Sequence, residues 1–314
     1  MNSDKPLVSV VVPVYKASTT IERCVRSLME QTYREIEFVF VDDGSPDDSV
    51  GKIRSVAAGY PDRKVLVVGQ ENQGVCAARR KGMEQVTGDF VLQVDSDDWV
   101  EERMVESLVG CMLRTRADIV YCDYFLEYPD RTETASEKEY AAPGLLYRDL
   151  YNGTGFHGYY WNKLVRRSLF DAVGAWPAFA MRDDLVVVAQ LLAASRSTVH
   201  LPEPLYHYRM SVSGSITSGK VRKQKFESSE NMALLHASLY GDHSAGDPPA
   251  AAGGILASRV LALRAGWFAL AARNFGIFRR YPYIARMLRS LKPSGEYGFS
   301  VAKQCIMKLA ALFL

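Results

Sequence analysis

The few cysteines of the sequence lack the spacing typical of zinc ligands or of a disulfide-bonded scaffold. Five cysteines stand in 314 residues and none forms a C-x-x-C pair, so neither a zinc site nor a disulfide scaffold is indicated. Long apolar runs are missing as well, since no stretch reaches the ~18 uninterrupted apolar residues of a membrane span. The N-terminus passes through Asp4 and Lys5 directly into a predicted strand, unlike a signal peptide. We therefore expect a cytoplasmic protein with reduced cysteines.

Common catalytic and cofactor-binding signatures are also missing. No G-x-G-x-x-G follows the first predicted strand, and no G-x-x-x-x-G-K-[ST] occurs anywhere. These absences argue against a dinucleotide-dependent dehydrogenase and against a P-loop kinase. A nucleophilic serine elbow is absent too. The composition is that of an ordinary globular protein, with 48% hydrophobic and 24% charged residues.

Strand and helix patterns alternate through the first 125 residues. Runs of buried, β-branched residues predict strands, and amphipathic stretches between them predict helices. The predicted strands are Leu7–Pro13, Ile36–Val41, Val65–Val68, Phe90–Val94 and Asp118–Phe125. The predicted helices include Ser18–Gln31, Gly74–Val86 and Glu101–Arg114. Repeated strand–helix–strand units imply an α/β fold with a mostly parallel central sheet and helices on both faces.

The pattern becomes less regular beyond residue 125. Tyr128–Gly155 is polar and predicts a surface excursion or lid. Two helices and two short strands are expected after it, at Tyr160–Phe170, Asp184–Ala194, Thr198–Leu201 and Leu205–Met210. From residue 221 the chain reads as helical. We expect an α/β domain over residues 1–218 and a helical, basic region over residues 219–314.

Acidic side chains follow two of the predicted strands, as Asp42-Asp43 and as Asp95-Ser96-Asp97-Asp98. Ligands of open parallel sheets bind beyond the carboxyl ends of the strands. Carboxylates gathered at one edge repel each other unless a cation offsets them, and Mg²⁺ or Mn²⁺ prefers such oxygen ligands. The second run could instead be a turn that caps a helix. Its place after a buried strand favours a metal bound against a substrate phosphate.

Four ordered segments resemble one family: VSVVVPVYKAS, VFVDDGSPDDS, ENQGVCAARRKGM and GDFVLQVDSDDWV are similar to the family 2 glycosyltransferases. The resemblance extends over roughly residues 6–215. It implies the Rossmann-like GT-A fold and an inverting transfer from a nucleotide-diphospho-sugar, commonly UDP-linked, with Mn²⁺ or Mg²⁺ as cofactor. Similar bacterial members build surface polysaccharides such as capsules, which implies a glycan or polyprenyl-linked acceptor.

The resemblance also implies roles for the residues at the strand ends. Asp97 matches the direct metal ligand, and Asp95 matches a ligand of the metal or the ribose, with Ser96 between them. Asp43 matches the carboxylate that hydrogen-bonds the base, with Asp42 as its neighbour. The other matches to donor-binding positions are Pro13, Val14, Tyr15, Gly74 and Arg79. Arg80 stands where the family usually has asparagine, which is a departure from its pattern.

A catalytic base is implied at the start of an apolar helix, where the family carries an E-D pair. Here Asp184 matches the base, and Asp183, with Asp for the usual Glu, is the second candidate. An inverting transfer needs one carboxylate to take the proton of the acceptor hydroxyl. A helix N-terminus favours the ionised form of such a carboxylate. The alternative is that both are ordinary first-turn acids of a core helix.

Two later segments add candidates. Trp161 and Lys163 belong to a W-N-K-L segment that the resemblance places near the donor sugar or acceptor, although Trp161 could equally be a packing anchor. Arg209 could pair with phosphate bidentately. His207 is a candidate third metal ligand, as is His157.

Charge is unevenly distributed along a chain whose net charge is +2. From Ile255 onward the chain contains ten basic residues and one acidic residue, Glu296. This tail therefore carries a net charge of +9, and the remainder of the chain carries −7. Basic helices with aromatic residues bind anionic membrane surfaces. We therefore expect peripheral association with the inner face of the plasma membrane, with a packing subdomain as the alternative. No nucleic-acid-binding motif is present, and the acidic body disfavours such a partner.

Two further functions stay open. A catalytically inactive nucleotide-sugar-binding or scaffold protein is compatible with Asp183 and Arg80, which both depart from the family pattern. A nucleotidyltransferase would need a glycine-rich loop with a basic residue after the first strand. The residues there are Val14-Tyr15-Lys16-Ala17, which do not form such a loop.

Overall fold

The computed structural model describes residues 5–140 and 143–210, and seven further residues between 227 and 239. The tail from Ile255 and the expected boundary at residue 218 lie outside these residues. The chain divides into two compact units. The first comprises Met1–Glu139, Tyr159–Val173 and Ala194–Ser213, and the second Tyr140–Gly158, Gly174–Ala193 and Gly214–Leu314. Among the described residues, no helix is both long and apolar enough to cross a membrane.

The strands all belong to the first unit, and within the described chain they form one nine-stranded sheet. They are β1 (Val8–Val14), β2 (Ile36–Asp42), β3 (Lys64–Gly69), β4 (Phe90–Gln93), β5 (Trp99–Val100), β6 (Ile119–Glu127), β7 (Thr132–Ala135), β8 (Lys163–Arg166) and β9 (Thr198–Arg209). Their order is β3-β2-β1-β4-β8-β6-β9-β5, with β7 on β6. Strands β1 to β4 are mutually parallel, and β6 and β9 run the same way because β8 is antiparallel to both β4 and β6. The expected mostly parallel sheet is confirmed.

The central strand β1 is buried along its whole length because both of its faces pack against helices. Val10 and Val12 belong to a large core that contains residues of α1 (Ile21–Met29), α2 (Ser49–Ala57) and α4 (Met104–Thr115). Val11 points to the other face and packs with Ala78 of α3 (Val75–Met83). This alternation follows from the two-residue period of a strand.

The predicted helix at Tyr160–Phe170 is wrong. This segment contains β8, which is inserted between β4 and β6 and is followed by a 3₁₀ turn at Arg167–Ala172. The apolar spacing fits a helix locally, but two open strand edges supply hydrogen-bond partners from distant parts of the chain. Such tertiary pairing overrides local propensity.

The two short strands expected at Thr198–Leu201 and Leu205–Met210 form the single strand β9. The expected turn is a bulge: Leu201 pairs with Cys122, whereas Pro204 pairs with the very next residue, Asp123. The bulge accommodates the two extra residues of β9 between Leu201 and Pro204 without ending its pairing with β6.

The second unit contributes two described helices, α5 (Pro143–Asn152) and α6 (Asp183–Ala194). The expected irregular excursion at Tyr128–Gly155 is therefore partly ordered, because it contains β7 and α5. Helix α6 was expected at Asp184–Ala194, and its long run of buried apolar residues explains the agreement.

Candidate functional site

The carboxyl edge of the sheet opens next to β4. Val11 of β1 pairs with Gln93 of β4, and the Val11 carbonyl accepts the N–H of Val94 at 3.0 Å. Pro13 is the next residue of β1 that faces β4, and it has no N–H to donate. The ladder to β4 therefore ends here, and Asp95 to Asp98 leave the sheet as a loop.

The loop is bonded to residues at the start of α1 and to one residue of α3. Thr20 Oγ1 donates to the carbonyl of Ser96 at 3.0 Å, and Cys24 Sγ to the carbonyl of Asp95 at 3.6 Å. The Arg79 guanidinium forms an ion pair with Asp95 at 2.8 Å, and only 9% of its side chain is exposed. Arg79 thus fixes one carboxylate of the pair, whereas Arg80 is exposed on the same helix.

Excess negative charge gathers at the loop. Burial, and then the charge of Asp95, raise the pKa of Asp97, although Arg209 and Arg79 act in the opposite direction. The neighbouring Asp98 is only 2% exposed. Burial and the charges of Asp97 and Asp95 raise its pKa well above the ordinary range. Arg209 and Arg79 therefore offset only part of the effect of burial and of the Asp95 charge on Asp97.

Asp98 anchors the loop to β9, a role that the sequence did not indicate. One carboxylate oxygen accepts the backbone N–H of Arg209 at 2.8 Å, and the other accepts the Tyr206 hydroxyl at 2.7 Å. The same hydroxyl accepts the N–H of Asp95 at 3.1 Å. Tyr206 is fully buried. The position of Asp95 therefore depends on a residue that lies 111 positions later in the chain.

Asp43 lies at the end of β2 and organises the loop after β3. Its carboxylate accepts the Gln70 side-chain amide at 2.7 Å and the N–H groups of Gln73 and Gly74, both at 2.8 Å. Gly74 has φ of +90°, which favours glycine, and it directly precedes α3. Asp42 accepts the Ser45 N–H at 3.0 Å and so closes a turn. The expected contact of Asp43 with a base stays a prediction.

The remaining candidates in the first strand differ in exposure. Pro13 and Val14 lie within buried β1. Tyr15 is 45% exposed, and the ammonium of Lys16 lies 5.1 Å from its ring centroid. Only Tyr15 therefore offers a large surface to a ligand in this arrangement.

Trp161 is a packing residue of the first unit. It is 4% exposed and stacks on Tyr206 and Tyr159, with centroids 4.4 and 4.6 Å apart. Lys163 is also buried, and its ammonium donates to the side-chain oxygen of Asn162 at 2.7 Å. Trp161 thus supports the tyrosine that positions Asp95.

The structure does not support His207 as a metal ligand. Its Nδ1 lies 2.6 Å from Glu127 and its Nε2 lies 2.7 Å from Glu101, so both ring nitrogens already contact carboxylates. The ring also stacks between Trp99 and Phe125. No nitrogen remains for a cation. The sequence does not indicate these contacts, because Glu127 ends β6 whereas Glu101 follows β5.

The candidate bases lie in the second unit. Asp183 and Asp184 open α6, and Asp183 is 6% exposed. The preceding Arg182 has φ of +63°, a conformation that is costly for a residue with a side chain. Asp184 lies close to the N–H of Leu185, at 2.7 Å. The role of either carboxylate as a base stays a prediction.

The fit of the loop to a divalent cation follows from its donors. The described residues contain no cluster of three or more His, Cys, Asp or Glu that could hold a metal. Mg²⁺ and Mn²⁺ typically bind one or two carboxylates and complete their shell with substrate phosphate. Asp95 and Asp97 supply such a pair, and a cation at Asp97 would offset the burial and the Asp95 charge that raise the pKa of this carboxyl. The residues therefore fit the expected metal.

Two curated proteins illustrate the sequence similarity. The chain is 35% identical over 241 residues to EpsH of Bacillus subtilis, covering 72% of this chain and 66% of that protein. It is 30% identical over 215 residues to the glycosyltransferase GlyA of Streptococcus pneumoniae, covering 65% of this chain and 30% of that protein. The chain thus spans less than two thirds of the length of these relatives.

Solved structures show the same fold at low identity. TarS of S. aureus, in complex with UDP-GlcNAc, has a TM-score of 0.69 and 18% identity, covering 98% of this chain and 92% of that chain. The mannosyltransferase PcManGT of Pyrobaculum calidifontis, in complex with GDP-Man and Mn²⁺, has a TM-score of 0.57 and 18% identity, covering 98% and 88%. The expected GT-A fold is confirmed. A family model described as Glycosyl transferase family 2 matches residues 9–174, more than half of the chain, and the chain belongs to this family.

Proposed function

We propose that this chain is a metal-dependent, inverting glycosyltransferase. It would move a sugar from a nucleotide-diphospho-sugar, with a UDP-sugar as the expected donor, to a glycan or lipid-linked acceptor in polysaccharide biosynthesis. The observation that carries the proposal is the Asp95–Asp97 pair at the carboxyl edge of the sheet, where Tyr206 anchors the N–H of Asp95 and burial and the Asp95 charge raise the pKa of Asp97. The relatives support it, because they include a named glycosyltransferase and structures that hold UDP-GlcNAc or GDP-Man.

Asp97 and Asp95 would hold the Mn²⁺ or Mg²⁺. When bound, the cation neutralises the charge that the departing nucleoside diphosphate gains. Arg79 keeps the Asp95 carboxylate in place through its 2.8 Å ion pair. A positioned carboxylate needs little rearrangement when the donor arrives, and such preorganisation lowers the barrier of the reaction.

The donor would lie across the strand ends. Asp43 would accept a hydrogen bond from the base, Tyr15 would cover the base or ribose, and Arg209 would pair with the diphosphate. Asp43 is already fixed by three donors, so its remaining lone pairs have a defined direction. This arrangement favours a nucleotide with an N–H on its base, as uridine has.

The transfer itself requires one proton acceptor. The acceptor hydroxyl oxygen attacks the anomeric carbon on the face opposite the diphosphate, and the bond from that carbon to the phosphate oxygen breaks. Asp184 takes the hydroxyl proton, with Asp183 as the second candidate. The configuration at the anomeric carbon is therefore inverted.

Thermal shifts of the full chain with a panel of nucleotide-sugars test this function, because a bound donor raises the melting temperature. We expect a shift with one UDP-sugar in Mn²⁺ that EDTA and Asp97→Asn both abolish. Slow hydrolysis of that donor without acceptor identifies an active enzyme. Binding without turnover would instead indicate an inactive nucleotide-sugar-binding protein, and pyrophosphate release from a nucleoside triphosphate would indicate a nucleotidyltransferase.

We also propose that the basic tail brings the protein to an anionic membrane surface, where lipid-linked acceptors lie. The support is its charge of +9 together with its aromatic residues. Sedimentation of the full chain with vesicles tests this. Binding to anionic vesicles that falls with salt is expected, and equal binding to neutral vesicles would contradict it.

A further inference from the structure

Arg23 is an exposed residue of α1 with an unusual position. Its guanidinium carbon lies 3.1 Å from the centroid of the Trp99 ring. Stacking on an aromatic face fixes the plane of a guanidinium but leaves the N–H groups at its edge available. Trp99 directly follows Asp98, so this cation is held beside the acidic loop.

Arg209 is a second cation at the same place. Its backbone N–H donates to the Asp98 carboxylate at 2.8 Å, so the residue lies next to the loop. Its side chain is exposed. Within the described part of the chain, neither Arg23 nor Arg209 has a side-chain ion pair or hydrogen bond.

The two guanidinium groups repel each other. Burial lowers the pKa of Arg23, the Glu127 carboxylate raises it, and the charge of Arg209 lowers it. Glu127 is already engaged, since it accepts hydrogen bonds from His207 at 2.6 Å and from Thr132 at 2.7 Å. Trp99, on which Arg23 stacks, pairs with His207 of β9, two residues before Arg209. Both arginines therefore lie at this loop, and among the described residues no carboxylate contacts either guanidinium. Such a pair is stabilised by an anion that both can reach.

We propose that Arg23 and Arg209 together form a phosphate-binding subsite beside the Asp95–Asp97 loop. This deepens the proposed function and rests on it. Phosphate fits because its non-bridging oxygens carry negative charge, and because planar guanidinium groups bind such oxygens bidentately. The phosphate has two possible sources, the diphosphate of the donor or a phosphate carried by the acceptor.

Arg23→Gln tests the subsite, and Arg26→Gln is its matched control. Arg26 lies about one turn later on the same exposed face of α1 and loses the same charge. The dissociation constant of UDP is measured in Mn²⁺ for both variants and for wild type. The KM is then measured for two acceptors that differ only in a phosphate, a sugar on a short prenyl phosphate and the same sugar on an alkyl chain. Unchanged melting temperatures would show that the variants fold.

We expect Arg23→Gln to weaken binding of one phosphate-bearing ligand by about tenfold to a hundredfold, as for the loss of a charged hydrogen bond. Weaker UDP binding identifies the donor diphosphate. A raised KM for the prenyl phosphate acceptor alone identifies the acceptor. The double variant Arg23→Gln/Arg209→Gln should lose less than the sum of the single losses, because both residues hold one group.

The subsite is overturned if Arg23→Gln matches Arg26→Gln in both arms, or if the two arginine losses simply add. These outcomes leave the proposed function intact. A wild-type chain that neither binds a nucleotide-sugar nor transfers sugar would overturn the proposed function instead.

Discussion

The hydroxyl of Tyr206 joins Asp98 to Asp95. It donates to the Asp98 carboxylate at 2.7 Å and accepts the Asp95 N–H at 3.1 Å. One buried group thus ties the end of the sheet to the loop that would hold the cation. Because the hydroxyl is inaccessible to solvent, no water can replace it without rearrangement.

Tyr206→Phe removes this link while keeping the ring that stacks on Trp161. We expect a loss of about 1–3 kcal/mol in the free energy of unfolding, because two buried groups lose a partner. Sugar transfer should fall by about a hundredfold, since small misplacements of reacting groups have effects of this size. Urea unfolding and initial rates measure both. Tyr60→Phe, which removes only a surface contact with Glu30, should leave the rate unchanged.

Asp98→Asn should change how stability depends on pH. Burial and the charges of Asp97 and Asp95 raise the pKa of Asp98 in the folded protein. The folded state then holds this proton more tightly than the unfolded state. The contribution of Asp98 to the free energy of unfolding is therefore fully present below its ordinary pKa of about 4 and is lost as pH rises through the folded value.

The free energy of unfolding of Asp98→Asn and of wild type is measured in EDTA by urea unfolding. As pH rises from about 4, the variant should become more stable relative to wild type. Exposed Asp62→Asn should show no such trend. A difference that is flat with pH, or that moves toward wild type, would contradict the charge imbalance at the loop.

Asp184→Asn should abolish transfer and preserve donor binding. The amide is isosteric but cannot take a proton, so a rate loss of about 10²–10⁴ is expected. The melting-temperature shift caused by the donor should be unchanged. Exposed Asp171→Asn serves as the control. Full activity in Asp184→Asn together with an inactive Asp183→Asn would assign the base to Asp183.

Gly82→Ala should destabilise the protein, whereas Gly110→Ala should stabilise it. A Cβ at residue 82 would collide with Val11 of β1 and lie 3.3 Å from Val41 Cγ2, so α3 would have to move away from the sheet. The expected loss is about 1–3 kcal/mol. At residue 110 the nearest atom is the flexible end of Arg114, and the change should add about 0.5–1 kcal/mol through helix propensity. Urea unfolding of both variants checks this.

Local patterns predicted the parts of the fold that bury apolar residues on two faces. Strands β1 and β2 and helix α6 were recognisable because their burial leaves little choice of residue. The strand β8 was not recognisable, since its four residues become a strand only by pairing with β4 and β6. The same reason explains β9, whose bulge is set by its register with β6.

The alternating α/β order, the acidic runs at the strand ends and the family resemblance are all readable from the amino-acid sequence, because they depend on neighbouring residues. The contacts of those acids depend on the tertiary structure. It anchored Asp98 to Tyr206, engaged both nitrogens of His207 and brought Arg23 and Arg209 to the same loop. These relations join residues about 80 to 190 positions apart, and the contacts of a side chain depend on which strands and helices pack beside it.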